Sequence, residues 1–259
     1  MRYRVTNILL SVLFFTAAGN ATAADMEGRF LARTYRSKKH SALPYRLLIP
    51  AHYDTTKRYP LVLFLHGAGE RGTDNKKQLY VGLNIFADEN NMRRFPCFVA
   101  APQCPEASKW VDADWKADRH LMNDSSTADL VMAIELVEEL PKEFSIDRNR
   151  LYITGYSMGG FGAWEAIQLR PDLFAAAIPV CGGGDDTLAY RIARVPIWAF
   201  HGARDDIVTV ARSRTMINAV VMAGGVPRYT EYRNINHFCW GLPFSDTAVL
   251  EWLFRQKKR

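Results

Sequence analysis

The stretch from Leu151 to Trp164 confines the chain to few folds. Leu151-Tyr152-Ile153-Thr154 is a short apolar run of strand character, followed at once by Gly155-Tyr156-Ser157-Met158-Gly159 and then a helical stretch beginning GGFGAW. A buried strand that passes into a helix through G-x-S-x-G is the nucleophile-elbow pattern. A turn sharp enough to lift a serine hydroxyl above a sheet strains the serine backbone and leaves no room for side chains two residues to either side. Gly155 and Gly159 meet that need. Met158 then lies at the positive end of the helix, where its backbone N–H can bind a developing oxyanion.

The rest of the chain alternates β-branched or aromatic runs with helical patterns, which predicts a mostly parallel central sheet of about eight strands with helices on both faces. Phe30 to Tyr35 and Tyr45 to Ile49 read as a leading pair of strands. Leu61 to Leu65, Phe98 to Ala101, Leu151 to Thr154, Ala176 to Val180, Ile197 to Phe200 and Arg228 to Arg233 follow. Several are continuous apolar runs, as expected of strands covered on both sides. The clearest helix spans Ala128 to Leu140, where Leu130, Ile134, Val137 and Leu140 recur at helical spacing. Ser126 with Asp129 resembles a capping box at its start, and Pro141 marks its expected end. Further helices are expected over Gly159 to Leu169, Ala211 to Ala223 and Thr247 to Arg255. No repeat, low-complexity segment or linker interrupts residues 24–259, which read as a single α/β domain.

A serine hydroxyl is a weak nucleophile at neutral pH and requires an imidazole and a carboxylate beside it. In a sheet of this kind the acid and the histidine follow the serine in sequence. Of the six histidines (His40, His52, His66, His120, His201 and His237), only His201 and His237 do so. His201 closes the strand IWAF, a position suited to stabilising a turn. His237 lies in Asn234-Ile235-Asn236-His237-Phe238-Cys239-Trp240, a loop between the last strand and the last helix, and is the expected base. Asp205, in the loop after the penultimate strand, is the expected acid, with Asp206 ranked second. A second oxyanion donor is expected from the loop after LVLFL, which reads His66-Gly67-Ala68-Gly69-Glu70-Arg71-Gly72, and is assigned to the N–H of Ala68. Glu70 and Arg71 are expected to brace that loop by ion pairing. Among the aromatics, Trp110 and Trp240 are the expected substrate walls, because both fall near the ends of strands where the site must lie. Trp164, inside the nucleophile helix, reads as core.

Residues 1–23 differ from the remainder. Arg2 and Arg4 precede an apolar run from Ile8 to Ala18, and Ala21-Thr22-Ala23 supplies the small residues that a signal peptidase requires. This reads as a cleavable export signal, since the run is shorter than the roughly 20 residues of a membrane span. No later apolar segment is long enough to span a membrane without charges, so no stable span is expected after cleavage. Removing Arg2 and Arg4 takes the formal charge from +6 to +4. That surplus is not clustered outside the tail Lys257-Lys258-Arg259, which gives nucleic acid binding little support. Cys97 and Cys104 flank the strand-like FVAAP, which holds them beyond disulfide reach. Cys181 with Cys239 is the preferred pairing if any disulfide forms, with free buried thiols as the alternative.

The strings PLVLFLHGAGERGTDN, PQCPEASKW, GYSMGGFGAW, CGGG, HGARDDIV and NHFCW together resemble the secreted carboxylesterase and predicted-peptidase group of α/β-hydrolases. That group is similar to dienelactone hydrolases, feruloyl and acetylxylan esterases and polyhydroxybutyrate depolymerases. The resemblance runs from about Tyr45 to Trp252. It implies a Ser, Asp, His triad on Ser157, Asp205 and His237, no metal or organic cofactor, and a small-molecule or polysaccharide-linked ester as substrate. A serine peptidase of prolyl-oligopeptidase type, a lipase-like esterase and an inactive binding module are the alternatives. The chain leaves no room for the N-terminal propeller expected of the first. Tyr156 replaces the Cys that precedes the serine in the tannase type of feruloyl esterase.

Overall fold

Pro60-Leu61-Val62-Leu63-Phe64-Leu65 is buried along its whole length, so this run must lie inside a sheet covered on both faces. In the computed structural model, which describes residues 23–123 and 125–258, it does. The expected export signal lies outside the described residues except for Ala23. The strands are β1 (Phe30–Arg36), β2 (Ala42–Leu48), β3 (Tyr59–Leu65), β4 (Phe98–Pro102), β5 (Ile146–Tyr156), β6 (Ala176–Val180), β7 (Trp198–Gly202) and β8 (Arg228–Tyr232). The helices are α1 (Ala23–Arg29), α2 (Asn84–Ala87), α3 (Glu89–Arg94), α4 (Ala128–Glu143), α5 (Met158–Leu169), α6 (Ala189–Ile192), α7 (Ala211–Met222) and α8 (Thr247–Arg255). No helix among the described residues is long and apolar enough to cross a membrane.

The sheet has eight strands in the order β1-β2-β4-β3-β5-β6-β7-β8. β2 pairs antiparallel with both β1 and β4, and the pairs from β4 to β8 are parallel. This is the α/β-hydrolase fold. Alternation along β3 divides the core. Leu61, Leu63 and Leu65 join the layer under α4, α5 and α7, while Val62 and Phe64 join the layer under α2 and α8. Burying each such side chain stabilises the fold by about 1.5–3 kcal/mol.

From β3 the chain passes to β4 on one side and later to β5 on the other. The strand order reverses there, and the crevice beyond the carboxyl ends of β3 and β5 is where such a sheet binds ligands. Topology thus sets the loop after β3 beside the elbow after β5.

Two local expectations are corrected. The cap of α4 is Thr127, whose side chain accepts from Leu130 N–H at 3.3 Å; Ser126 is not the cap. Asp129 instead accepts a hydrogen bond from Ser108. Pro141 does not end α4 but lies within its last turn, where its missing N–H removes one bond and the helix continues to Glu143.

Candidate active site

The backbone at Ser157 has φ 54° and ψ −121°, the left-handed strain that the elbow requires. A Cβ on Gly159 would sit 1.9 Å from Leu65 O, and one on Gly155 would sit 2.4 Å from Gly159 O. Any other residue at either position would force β3, β5 and α5 apart. Gly160 and Phe161 N–H close onto Ser157 O at 2.8 and 3.1 Å. Met158 is the first residue of α5, so its amide belongs to the unpaired first turn.

The structure brings together the three side chains expected from the sequence. Ser157 Oγ lies 2.8 Å from His237 Nε2, and His237 Nδ1 lies 2.7 Å from Asp205 Oδ2. The carboxylate is an acceptor, so Nδ1 carries the proton and Nε2 is left to accept from the serine hydroxyl. The Asp205 carboxylate is wholly buried. Burial alone would raise its pKa, but hydrogen bonds from His201, His237 and the Val208 N–H outweigh that and hold it well below the usual carboxylate range. Asp206, the second-ranked acid, is exposed.

The loop after β3 is held from several directions. His66 is buried, and burial brings its pKa down to about 4, so the ring is neutral. Its Nδ1–H donates to Gly67 O at 2.6 Å, and its Nε2 accepts from Cys104 N–H at 2.9 Å. Gln103, just past β4, donates to Glu70 O at 3.1 Å and to Asp74 Oδ1 at 2.9 Å, and accepts from Asn75 N–H at 2.6 Å. Ala68 opens a 3-10 turn, Ala68–Glu70, which leaves its amide without a partner inside the turn.

Among the described residues, Glu70 and Arg71 brace this loop through neutral partners and not through an ion pair. Arg71 donates to Ala68 O at 2.9 Å and Ser108 O at 3.2 Å, and Glu70 accepts from the Tyr156 hydroxyl at 2.6 Å. Sequence reasoning passed over Tyr156, Gln103 and His66. The position of Tyr156, directly before the serine and opposite the glycine-rich loop, was the available signal.

The two expected walls part company. Trp110 is fully buried and its indole N–H donates to His66 O at 3.0 Å, so it is a core anchor of the loop and cannot line a pocket. Trp240 is half-buried, packed at a tilt of 35° on Tyr156 with ring centroids 4.7 Å apart, and edge-on to His237 at 5.4 Å. Phe238, which the sequence reading did not select, is 63% exposed and 5.1 Å from Trp240. Trp164 is core, as expected.

All four cysteines are free and buried. Cys181 and Cys239 are not bonded, although their sulfurs are 2.8 Å apart, and the Cys181 thiol points at His237 O at 3.3 Å. Among the described residues Cys181, His201 and Asp205 also form a group with metal-ligand chemistry, their atoms within 4.8 Å of one another. The Asp205 oxygen already lies between two imidazoles.

A mostly parallel sheet with a strained serine after β5, a carboxylate after β7 and a histidine after β8 defines an α/β-hydrolase. Within that class the chain belongs to the PET hydrolase-like family, whose sequence model matches residues 114–255. It is 27% identical over 223 residues to an uncharacterized secreted protein of Arthroderma benhamiae, covering 74% of this chain and 23% of that one. It is 25% identical over 192 residues to the probable feruloyl esterase C of Aspergillus terreus, covering 70% and 62%. Among solved structures it is similar to a thermostable esterase at 40% identity and a TM-score of 0.83, covering 90% of this chain and 64% of that one. The chain spans less than two thirds of the length of each of these relatives.

Proposed function

We propose that this chain hydrolyses carboxylic esters by acylation of Ser157. The observation that carries the reading is the unbroken line from Asp205 Oδ2 through His237 to Ser157 Oγ, with steps of 2.7 and 2.8 Å. His237 Nε2 takes the serine proton as Oγ attacks the acyl carbon. The oxyanion that forms is held by the N–H groups of Met158 and Ala68. His237 then returns the proton to the departing alkoxide, and the alcohol leaves an acyl-serine. Water, deprotonated by His237, attacks that ester; collapse of the second oxyanion releases the carboxylic acid and restores the Ser157 hydroxyl. Asp205 holds the Nδ1–H tautomer and balances the imidazolium charge. The scheme draws on protein groups and water alone.

The substrate class we infer is an acyl ester of a polysaccharide or a related small ester. Its support is the aromatic pair Phe238 and Trp240 beside His237, together with similarity to a probable feruloyl esterase. Export to the periplasm or the extracellular space accords with the pattern of residues 1–23 and with the secreted relative. N-terminal sequencing of the mature protein should begin at Ala24.

The test is turnover of p-nitrophenyl acetate and butyrate, acetylated and feruloylated xylan fragments and a panel of short peptides. Ester turnover that falls about a thousandfold or more in Ser157→Ala is expected, since triad members act as a unit. Peptide cleavage without ester turnover would overturn the reading in favour of a peptidase.

A further inference from the structure

The Asp205 carboxylate carries two imidazoles, and only one of them touches Ser157. His237 donates Nδ1–H to Asp205 Oδ2 at 2.7 Å, and His201 Nε2 lies 3.1 Å from the same oxygen. His201 Nε2 is also 3.0 Å from the carbonyl of Val208. Both neighbours are acceptors, so Nε2 carries a proton and donates it. Across the ring, Nδ1 is 2.8 Å from Ser213 Oγ, which is itself 3.0 Å from Gly182 O. Gly182 packs so closely on α5 that a Cβ there would sit 2.4 Å from the carbonyl carbon of Gly160. The contacts form a circuit from Ser157 through His237, Asp205, His201, Ser213 and Gly182 to Gly160, three residues from where it began.

Proton transfer to and from Ser157 requires one imidazole. A second, wholly buried one costs desolvation unless its polar atoms are partnered, and here both are. The other carboxylate oxygen, Oδ1, accepts the N–H groups of Ile207 and Val208 at 2.9 and 2.8 Å. Those two bonds fix the loop end of the carboxylate. The His201 bond fixes the end that meets His237.

We propose that His201 is a positioning residue: its Nε2–H holds Asp205 Oδ2 against His237, so that the carboxylate keeps the imidazole in line with Ser157. The inference rests on Ser157, Asp205 and His237 acting as proposed above. The groups facing His201 are Asp205 on the loop that follows its strand, His237 on the loop after β8, Cys181 just past β6, Ser213 on α7 and Glu231, its register partner on β8. Glu231 is paired with Arg214 at 2.6 Å, which leaves Asp205 as the carboxylate that His201 serves.

The experiment compares wild type with His201→Leu, which removes the donor but keeps apolar bulk, and His201→Gln, whose amide N–H can reach the same oxygen. Two readouts are taken: the rate at which a fluorophosphonate labels Ser157, and kcat and KM measured separately for a p-nitrophenyl ester. In His201→Leu, labelling and kcat should each fall about tenfold or more, the scale of one lost charge-assisted hydrogen bond. KM should stay within about twofold, because the contact positions the triad and does not touch substrate. His201→Gln should recover most of both losses. If His201→Leu does not fold, Ser213→Ala cuts the other side of the circuit and should move the same readouts in the same direction by less. A folded His201→Leu with a lower Tm but unchanged labelling rate and kcat would make the contact merely structural and overturn the inference. A wild type that is not labelled at all would overturn the ester-hydrolase reading, and this inference with it.

Discussion

The hydroxyl of Tyr156 donates to Glu70 Oε2 at 2.6 Å, and so ties the residue before Ser157 to the turn that carries the Ala68 amide. The ring is buried, in contact with Trp240 on one side and close enough to Gly67 that a Cβ there would meet it at 2.6 Å. Burial, then the charge and hydrogen bond of Glu70, push the Tyr156 pKa well above its ordinary value, so it remains a donor throughout the working range. The two proposed oxyanion donors, the Met158 and Ala68 amides, are therefore indexed to one side chain. Tyr156→Phe keeps the packing and removes only the latch, and should lower kcat about five- to tenfold with KM little changed, in line with the roughly 1 kcal/mol of one hydrogen bond. Glu70→Gln keeps an acceptor and should lose much less. Steady-state kinetics on the two variants and their double mutant check this, with the double mutant no worse than Tyr156→Phe.

Two adjacent aspartates make a controlled comparison. Asp205 is buried and receives His237 Nδ1, whereas Asp206 is exposed. Asp205→Asn turns an acceptor that fixes the tautomer into an amide that can present N–H to His237, and kcat should fall by about three to four orders of magnitude. Asp206→Asn should stay within about twofold. The same pair reports on stability. The folded-state pKa of Asp205 is depressed, so its contribution is present above its unfolded value of about 3.9 and is lost as pH falls below that toward the folded value. Urea unfolding should show wild type losing stability below about pH 4 more steeply than Asp205→Asn.

Phe238 and Trp240 separate binding from packing. Phe238 is mostly exposed beside His237, so Phe238→Ala should raise KM for esters with aromatic acyl groups roughly fivefold, the scale of one ring contact, and leave Tm unchanged. Trp240 lies on the buried Tyr156 ring, and Trp240→Ala should lower Tm by about 5 °C or more as well as KM discrimination. Equal effects of both variants on Tm and KM would reject this division. Kinetics on acetyl, butyryl and feruloyl esters, with thermal melts, supply the measurement.

Much of this architecture could be read from the sequence because local pattern and tertiary demand agree. The run LVLFL is buried on both faces, and G-x-S-x-G has the strain that its glycines imply. Local pattern failed where a contact from elsewhere in the chain decides. Trp110 has the composition and strand-end position of a pocket wall, yet its indole N–H is taken by His66 O, forty-four residues away in sequence. Pro141 reads as a stop, yet within a last turn it forfeits one hydrogen bond and no more. Thr127 and Ser126 are equally good caps by type, and the choice falls to Thr127, whose hydroxyl donates to Trp110 O at 2.7 Å. His201 reads as a turn residue, and its bond to Val208 O is of that kind; its bond to Asp205 depends on the path of the loop between them.

The burial of Glu165 predicts a stability that declines through the neutral range. It lies on the C-terminal half of α5, buried, and burial raises its pKa to about 7. It lines a small cavity together with Ser126, Thr127 and His120, away from Ser157. An unfolded glutamate titrates near 4.3, so between about pH 4.5 and 7 the unfolded chain has released a proton that the folded chain retains. Stability must then fall as pH rises through that window and level off above it, by on the order of 3 kcal/mol in total. Glu165→Gln is neutral at every pH and fills the same space. It should match wild type near pH 4.5 and exceed it in Tm at pH 8, by several degrees on the scale of about 2–4 °C per kcal/mol for a domain of this size. Thermal melts of the two proteins at half-unit steps from pH 4.5 to 8.5 test this, and parallel curves across that range would show that Glu165 is ionised and paired when folded.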